Sequence, residues 1–367
     1  MGYIVQKNQC KLFLFGFSLW KRIYIKPFFE KEGKCYFSQS LKHAKSKGLD
    51  HESKIYIWGK KAFPEVERYA KENAIVLYHV EDGFIRSLSL GSDLTKPYSL
   101  VFDRRGIYFD PTQESDLEYL LNTYSFDDDL CIRAKKLRMY LVEKKLSKYN
   151  TNPDKKIYLE GLKKGQKVII VPGQVEDDAS IIYGAGGMTN LELLQAVREK
   201  RPDSYIIYKP HPDVLAGNRK GNIPLDQALS LADNVITDVS LDSVLEHGDE
   251  VHTMTSLVGF ESLLRGKIVF TYGMPFYAGW GLTNDVKVCK RRVKERTLDE
   301  LVAATLILYP RYIDPLSNKE CEVEVTLANI ELMKTRYNTD IFYKTSIDIR
   351  NFISRKIQQL IKVLLSE

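Results

Sequence analysis

The second half of the chain constrains its fold most. Short runs rich in Val, Ile and Tyr alternate with amphipathic stretches in a fixed order: KVIIVP, LELLQAVREK, SYIIYKP, NVITDV, LDSVLEH, EVHTMT, SLVGFESLLRG and KIVFTYG. The five strand-like runs with helices between them predict a parallel, doubly wound α/β sheet. The first half carries the same βαβ rhythm in KLFLFGF, KCYFSQ, KIYIWGK and AIVLYHV, with FPEVERYAKENA as a helix between the last two. SLVFDRRGIYFD then reads as a hairpin turning at Arg105-Gly106, LEYLLNTY and CIRAKKLRMYLVEKKLSKY as helices, and the polar TNPDKK (Thr151 to Lys156) as a linker. The expected organisation is two Rossmann-like domains, residues 1–155 and 156–330, and a helical tail, 331–367. The tail sets Ile349, Phe352, Ile353, Ile357, Leu360, Ile361 and Leu364 on one helical face flanked by Arg350, Arg355, Lys356 and Lys362. Such a basic amphipathic helix either rests on an anionic membrane or packs back across the domains.

Composition narrows the function classes. At 367 residues and 44% hydrophobic content, the chain can bury two cores of ordinary size. It has no uncharged apolar run of about 18 residues and no secretory leader pattern, so a cytoplasmic protein is expected. Five dispersed cysteines without CxxC spacing indicate neither a disulfide framework nor a zinc site. The net charge of +6 does not require nucleic acid and suits an anionic small substrate or an anionic membrane surface. With no GxxxxGK[ST] loop and no dinucleotide fingerprint around Gly184-Ala185-Gly186-Gly187, a kinase or dehydrogenase is not indicated. Asp127-Asp128-Asp129 reads as a helix cap rather than a metal site, and no metal is expected.

Parallel sheets present their functional groups at the carboxyl ends of the strands, and four such ends are unusual. AIVLYHV leads into Glu81-Asp82-Gly83-Phe84-Ile85-Arg86; KVIIVP into Gly173-Gln174-Val175-Glu176-Asp177-Asp178-Ala179-Ser180; SYIIYKP, with Lys209, into His211-Pro212-Asp213; and EVHTMT into Thr255-Ser256, with Glu261 further along the helix. Carboxylates at two strand ends, Glu81 or Asp82 and Asp177 or Asp178, suit the nucleophile and acid/base partner of glycosyl transfer, against the alternative that they cap helices. His211 beside Lys209, and the hydroxyls of Thr255 and Ser256 at a helix start, could hold a phosphate. Glu261 could accept from ribose hydroxyls or be a solvated helix residue. The segment Pro275 to Thr283, with Tyr277 among its aromatics, suits a sugar or base platform or a packed loop.

Together these motifs resemble the bacterial capsular polysaccharide retaining β-Kdo glycosyltransferase family. The resemblance rests on GFSLWKR, VEDGFIRSLSLGS, GIYFD, VPGQVEDDASIIYGAGG, YKPHPDV, HTMTSLVGFESLLRG, GMPFYAGWGLTND and LYPRYIDP, from about Gly16 to Pro315; the tail beyond about Ile330 lies outside it. It implies a glycosyltransferase B-type fold, CMP-Kdo bound mainly by the C-terminal domain and metal-independent transfer to a Kdo-bearing or lipid-linked glycan at the cytoplasmic membrane face. By match to the family's acidic loop, Asp178 is the nucleophile, with Asp177 the alternative; Glu81 would then be the base for the acceptor hydroxyl, or a group that positions it. His211, Lys209 and Ser256 would meet the CMP phosphate, with Gln174, Ser180, Thr255, Glu261 and Tyr277 also on the substrate. Arg86, Arg265, Arg291 and Arg292 are the candidates for the Kdo carboxylate. Enzymes of this type often carry two such modules in tandem, whereas this chain has one. The competing readings are a transferase using another CMP sugar, such as CMP-sialic acid, and a non-catalytic capsule assembly or export factor.

Overall fold

The computed structural model describes residues 10–87, 95–148, 156–217, 219–237 and 239–364. The chain divides into two compact units, Met1–Ile107 with Tyr309–Glu367, and Tyr108–Leu308. In the first, β1 (Lys11–Phe15), β2 (Lys34–Ser38), β3 (Lys54–Trp58) and β4 (Val76–Asp82) are parallel, and β5 (Ser99–Asp103) joins β4 antiparallel. In the second, β6 (Val168–Pro172), β7 (Tyr205–Lys209), β8 (Asn234–Val235), β9 (Glu250–Thr253), β10 (Ile268–Thr271) and β11 (Asn284–Asp285) form a parallel sheet in the order β11-β10-β9-β6-β7-β8. The chain then returns to the first unit, where β12 (Pro310–Ile313) and β13 (Glu320–Cys321) complete a mixed sheet, β13-β12-β5-β4-β3-β1-β2.

The central strands read as continuous apolar runs because both of their faces are covered. Along β1, Leu12 and Leu14 enter one core with Tyr56, Trp58 and Val80, while Phe13 and Phe15 enter the opposite core with Ile55, Ile57, Val66 and Ala70. In the second unit Ile169, Val171, Ile206 and Tyr208 pack with Leu193, Leu194 and Val197 of the helix Asn190–Lys200. That helix starts with a capping box in which Thr189 and Glu192 satisfy each other's backbone N–H groups.

Two sequence expectations give way here. No hairpin turns at Arg105-Gly106: Asp103 Oδ1 accepts from the backbone N–H of Arg105 (3.0 Å) and Gly106 (2.8 Å), and no strand follows. β5 already has an antiparallel neighbour on each side, β4 and the much later β12, so a local return strand has no place to pair. The domain boundaries also differ. The helices Asp116–Thr123 and Asp128–Glu143 belong to the second unit, whereas Tyr309 onward belongs to the first. Thr151 to Lys155 of the expected linker lie outside the described residues.

Side-chain contacts explain why the two helices go with the second unit. The buried Glu118 carboxylate accepts from Arg291 Nε at 2.6 Å and Arg292 Nε at 3.1 Å, and Arg138 pairs with Asp299 at 3.0 Å. Removing one partner of a buried pair leaves the other charge uncompensated, at a cost of about 3–5 kcal/mol. Glu118→Ala is therefore expected to lower the melting temperature of this unit by about 10 °C, measured by calorimetry. A shift under about 2 °C would show that the pair holds nothing together.

Candidate functional site

Most of the candidates gather at the carboxyl ends of β6, β7 and β9 in the second unit. The loop after β6 crosses the loop after β7 at Gly173, whose N–H donates to the Lys209 carbonyl at 2.8 Å. A Cβ there would come within 2.8 Å of Tyr208 Oη and 3.1 Å of Pro210 Cα, so only glycine allows this approach. Asn190 holds the same loop, accepting from Gln174 N–H (2.8 Å) and donating through Nδ2 to the carbonyls of Gln174 (2.7 Å) and Gly221 (2.9 Å). Sequence reasoning missed Asn190, although the capping box starting one residue earlier marks its place.

Gln174 is a clamp. Its Oε1 accepts from Thr253 Oγ1 (3.2 Å) and from the N–H groups of Thr255 (3.0 Å) and Ser256 (3.1 Å), while Nε2 donates to Thr255 Oγ1 (3.1 Å). The amide thereby takes the N–H groups of Thr255 and Ser256 and fixes the start of the helix Leu257–Leu264 against β6. What remains for a ligand is hydroxyl chemistry. Thr255 Oγ1 donates to Ser180 Oγ at 3.3 Å, and Ser256 Oγ accepts from Val258 N–H at 3.2 Å. Ser180 and Ser256 give their own hydroxyl hydrogens to no described residue and can donate outward.

The two aspartates separate. Asp177 is exposed and paired with Arg219 at 3.1 Å. Asp178 is half-buried and caps the helix Ala179–Gly184, with Oδ1 accepting from Ser180 N–H at 2.9 Å; no other described residue hydrogen-bonds to its carboxylate. The capping alternative is thus realised at Asp178 through one oxygen, and the other accepts from no described residue.

His211 Nδ1 accepts from Asp213 N–H at 3.1 Å, so the neutral ring carries its proton on Nε2. Burial pulls its pKa below the usual value, opposed by the charges of Asp213 and Asp178, and an outward Nε2–H donor is favoured at neutral pH. Lys209 is buried and donates to the carbonyls of Val239 (2.9 Å) and Thr237 (3.5 Å), so it secures the loop after β8. Glu261 is buried with Oε1 accepting from Lys148 N–H at 2.9 Å, and burial raises its carboxyl pKa.

Three expectations are corrected. Tyr277 is 0% exposed and donates to the Ser256 carbonyl at 2.5 Å, and Phe276, Ala278 and Trp280 are buried beside it, so Pro275 to Thr283 is a packed loop rather than an open platform. The arginines proposed for a sugar carboxylate are each held by the protein. Arg86, 1% exposed, donates to Asp82 (2.8 Å), Ser87 Oγ (3.0 Å) and the Thr95 carbonyl (3.2 Å); Arg265 pairs with Asp242 at 2.7 Å; Arg291 and Arg292 share Glu118. Glu81 and Asp82, expected in a loop, are the last residues of β4, opposite Val101 and Leu100 of β5 in the first unit. Among the described residues no three His, Cys, Asp or Glu side chains gather as a metal site, and no helix is long and apolar enough to cross a membrane.

Comparison with known proteins shows what the chain is similar to. Residues 53–312 match the family model described as "Capsule polysaccharide biosynthesis protein". The chain is 47% identical over 322 residues to the capsule polysaccharide modification protein LipA of Neisseria meningitidis serogroup A, covering 87% of this chain but 45% of LipA. It is 37% identical to the lipopolysaccharide-processing protein LpsZ of Rhizobium meliloti, covering 88% of this chain and 74% of LpsZ. The chain thus spans about half the length of the LipA proteins it matches. Two solved structures from Thermosulfurimonas dismutans KpsC are similar over 88% of this chain: a beta Kdo 2,7 transferase (36% identity, TM-score 0.72, 99% of that chain) and a beta Kdo 2,4 transferase (31%, 0.76, 98%). By these matches the chain belongs to the capsule polysaccharide biosynthesis protein family, as a KpsC-like member.

Proposed function

We propose that the chain is a retaining β-Kdo glycosyltransferase of glycosyltransferase B type, with two Rossmann-like domains, that moves Kdo from CMP-Kdo to a Kdo-bearing or lipid-linked glycan in capsule or lipopolysaccharide biosynthesis. The observation that carries this reading is the similarity to two β-Kdo transferases, together with Asp178, Ser180, His211 and Ser256 at the carboxyl ends of β6, β7 and β9, where the Asp178 charge acts on His211. In the first step an Asp178 oxygen forms a bond to the anomeric carbon, and the bond from that carbon to the phosphate oxygen breaks, its electron pair leaving with CMP. His211 Nε2–H and the Ser180 and Ser256 hydroxyls donate to the departing phosphate, so the step calls for no divalent ion. Glu261, with one oxygen on Lys148 N–H, would meet a ribose hydroxyl with the other. In the second step Glu81 takes the proton of the acceptor hydroxyl, whose oxygen displaces Asp178 from the anomeric carbon. Two inversions give retention.

The test is intact-protein mass spectrometry after incubation with CMP-Kdo and no acceptor. An added Kdo residue mapped to the Gln174 to Ser180 loop is expected. An adduct formed instead from CMP-sialic acid would move the assignment to another CMP sugar, and binding of neither donor would favour an assembly factor.

The tail supports work at the cytoplasmic face of the inner membrane. In the helix Ile341–Leu364, Ile347 and Asn351 are buried, while Ile349, Phe352 and Ile353 are at least 50% exposed, with Arg350 and Lys356 also exposed. An apolar face flanked by cations suits an anionic lipid surface. Phe352→Ser with Ile353→Ser is expected to weaken partitioning onto phosphatidylglycerol vesicles, measured by cosedimentation, about 30-fold or more, since each apolar side chain moved out of water contributes on the order of 1–2 kcal/mol. Unchanged cosedimentation would remove the membrane from this account.

A further inference from the structure

The acidic run Asp127-Asp128-Asp129 is only partly accounted for by the helix it starts. In the helix Asp128–Glu143 of the second unit, Asp127 alone is the cap, its side chain accepting from Leu130 N–H at 2.8 Å. Ala134, Leu137 and Leu141 form the buried stripe, and Arg138 fastens the helix to Asp299 at 3.0 Å. At about 100° per residue, the side opposite that stripe is centred on Ile132 and Met139, which are 51% and 57% exposed. Asp128, Asp129, Lys135 and Lys136 are exposed around them, and among the described residues none of these four side chains has a hydrogen-bond or ion-pair partner.

This face is complementary to itself. Seen down the axis, Asp128 and Lys135 lie about 40–60° to one side of Ile132, and Asp129 and Lys136 about as far to the other. Along the axis the aspartates precede Ile132 by three or four residues and the lysines follow it by the same interval, so acid and base stand about 5 Å to either side of it. A two-fold axis across the helix at Ile132 therefore carries each aspartate onto the lysine on its own side. Asp128 meets Lys135 of a second copy, Asp129 meets Lys136 of a second copy, and each pair occurs twice. A parallel pairing would set acid on acid instead. The same axis brings the two Ile132 side chains together between the four ion pairs, and Met139 extends the apolar line by two turns. Single exposed apolar side chains are ordinary on a surface. Two in line, bracketed by charges that match their own two-fold image, form a docking face.

We infer that the helix Asp128–Glu143 is the contact surface of a homodimer, in which two copies of the chain pack this helix antiparallel about a two-fold axis at Ile132. The inference does not depend on the transfer reaction or on CMP-Kdo. A helix face about 24 Å long buries less area than an obligate interface, so the dimer forms at micromolar concentrations, and because exposed ion pairs align it, added salt weakens it.

The test is sedimentation velocity of the full chain at low salt over about 1 to 100 µM, a range in which the wild type is expected to pass from monomer to dimer. Asp128→Lys with Asp129→Lys makes the four charged positions all basic, and Lys135→Glu with Lys136→Glu makes them all acidic; both variants keep the Asp127 cap. Each variant alone is expected to associate at least about tenfold more weakly than wild type, and an equimolar mixture of the two to recover the dimer, because every facing pair is then opposite in charge. Recovery on mixing separates a facing surface from a helix merely unsettled by new charges. Where either variant fails to fold, Ile132→Lys and Ile132→Glu replace the pair: each sets like charges on the axis, and their mixture is expected to recover in the same way. A wild type that stays monomeric across the range overturns the inference. So do charge-reversed variants that associate like the wild type, or a mixture that stays monomeric.

Discussion

Asp178→Asn is expected to abolish transfer, with a loss on the order of 10,000-fold, while CMP still binds within about threefold of its wild-type affinity. Asparagine is the informative replacement because it keeps the helix cap: its side-chain oxygen can still accept from Ser180 N–H, as Asp178 Oδ1 does at 2.9 Å. Asp178→Ala removes cap and nucleophile together and adds a stability loss of about 1 kcal/mol. Comparing the two variants by melting temperature and by adduct formation separates folding from chemistry. Asp177→Asn supplies the contrast, since Asp177 is exposed and engaged by Arg219. Activity close to wild type is expected there. If Asp178→Asn still forms the Kdo adduct and Asp177→Asn does not, the nucleophile is the neighbour and the cap is all that Asp178 provides.

The parts of the fold that could be read from the sequence are those fixed by local periodicity. The strands β1, β3, β6 and β7 are apolar on both faces, and the helices between them carry their own caps, as at Thr189 and Asp127. The hairpin at Arg105-Gly106 misled because the strand that fills that edge, Pro310–Ile313, lies about two hundred residues later, opposite Val101 and Leu100. The unit boundary misled for a related reason. Glu118 commits its helix to Arg291 and Arg292, and nothing near Glu118 in sequence announces that pairing.

In the site, strand-end position was enough to find the loops but not to assign each side chain. Gln174 and Tyr277 have the chemistry of ligand contacts, yet the first spends its amide on Thr253, Thr255 and Ser256, and the second is fully buried. Arg86 is a natural carboxylate partner by type and is consumed by Asp82 and the Thr95 carbonyl. Residue type states what a group can do; which of its donors remain open is decided by packing.

His211 tests that distinction directly. Its Nδ1 accepts from Asp213 N–H and so caps a short turn, while no described residue hydrogen-bonds to Nε2, the atom proposed to meet the phosphate. Asparagine in its place can accept from Asp213 N–H but lacks a donor where Nε2 stood. His211→Asn is therefore expected to melt within about 2 °C of wild type, while transfer falls about 100-fold or more, the usual effect of removing one donor to a developing charge. His211→Ala loses both. Transfer in His211→Asn near the wild-type rate would make the histidine a cap and nothing else. The pH profile adds an independent check with a definite sign. Because burial depresses the folded-state pKa of His211, the neutral Nε2–H tautomer persists as pH falls through the ordinary histidine value near 6.5 and is lost only as the lower folded pKa is passed. The stability that His211 contributes follows the same course: it is complete above about 6.5 and declines as pH falls toward the folded value, since the unfolded chain then binds the extra proton. Wild-type kcat is accordingly expected to stay level from pH 7.5 to about 6.5 and to fall only below that, and the histidine-dependent part of that fall should be missing in His211→Asn. A wild-type break centred at or above 6.5 would mean that the ring is solvated and charged in the working enzyme, contrary to the burial that gives it its donor.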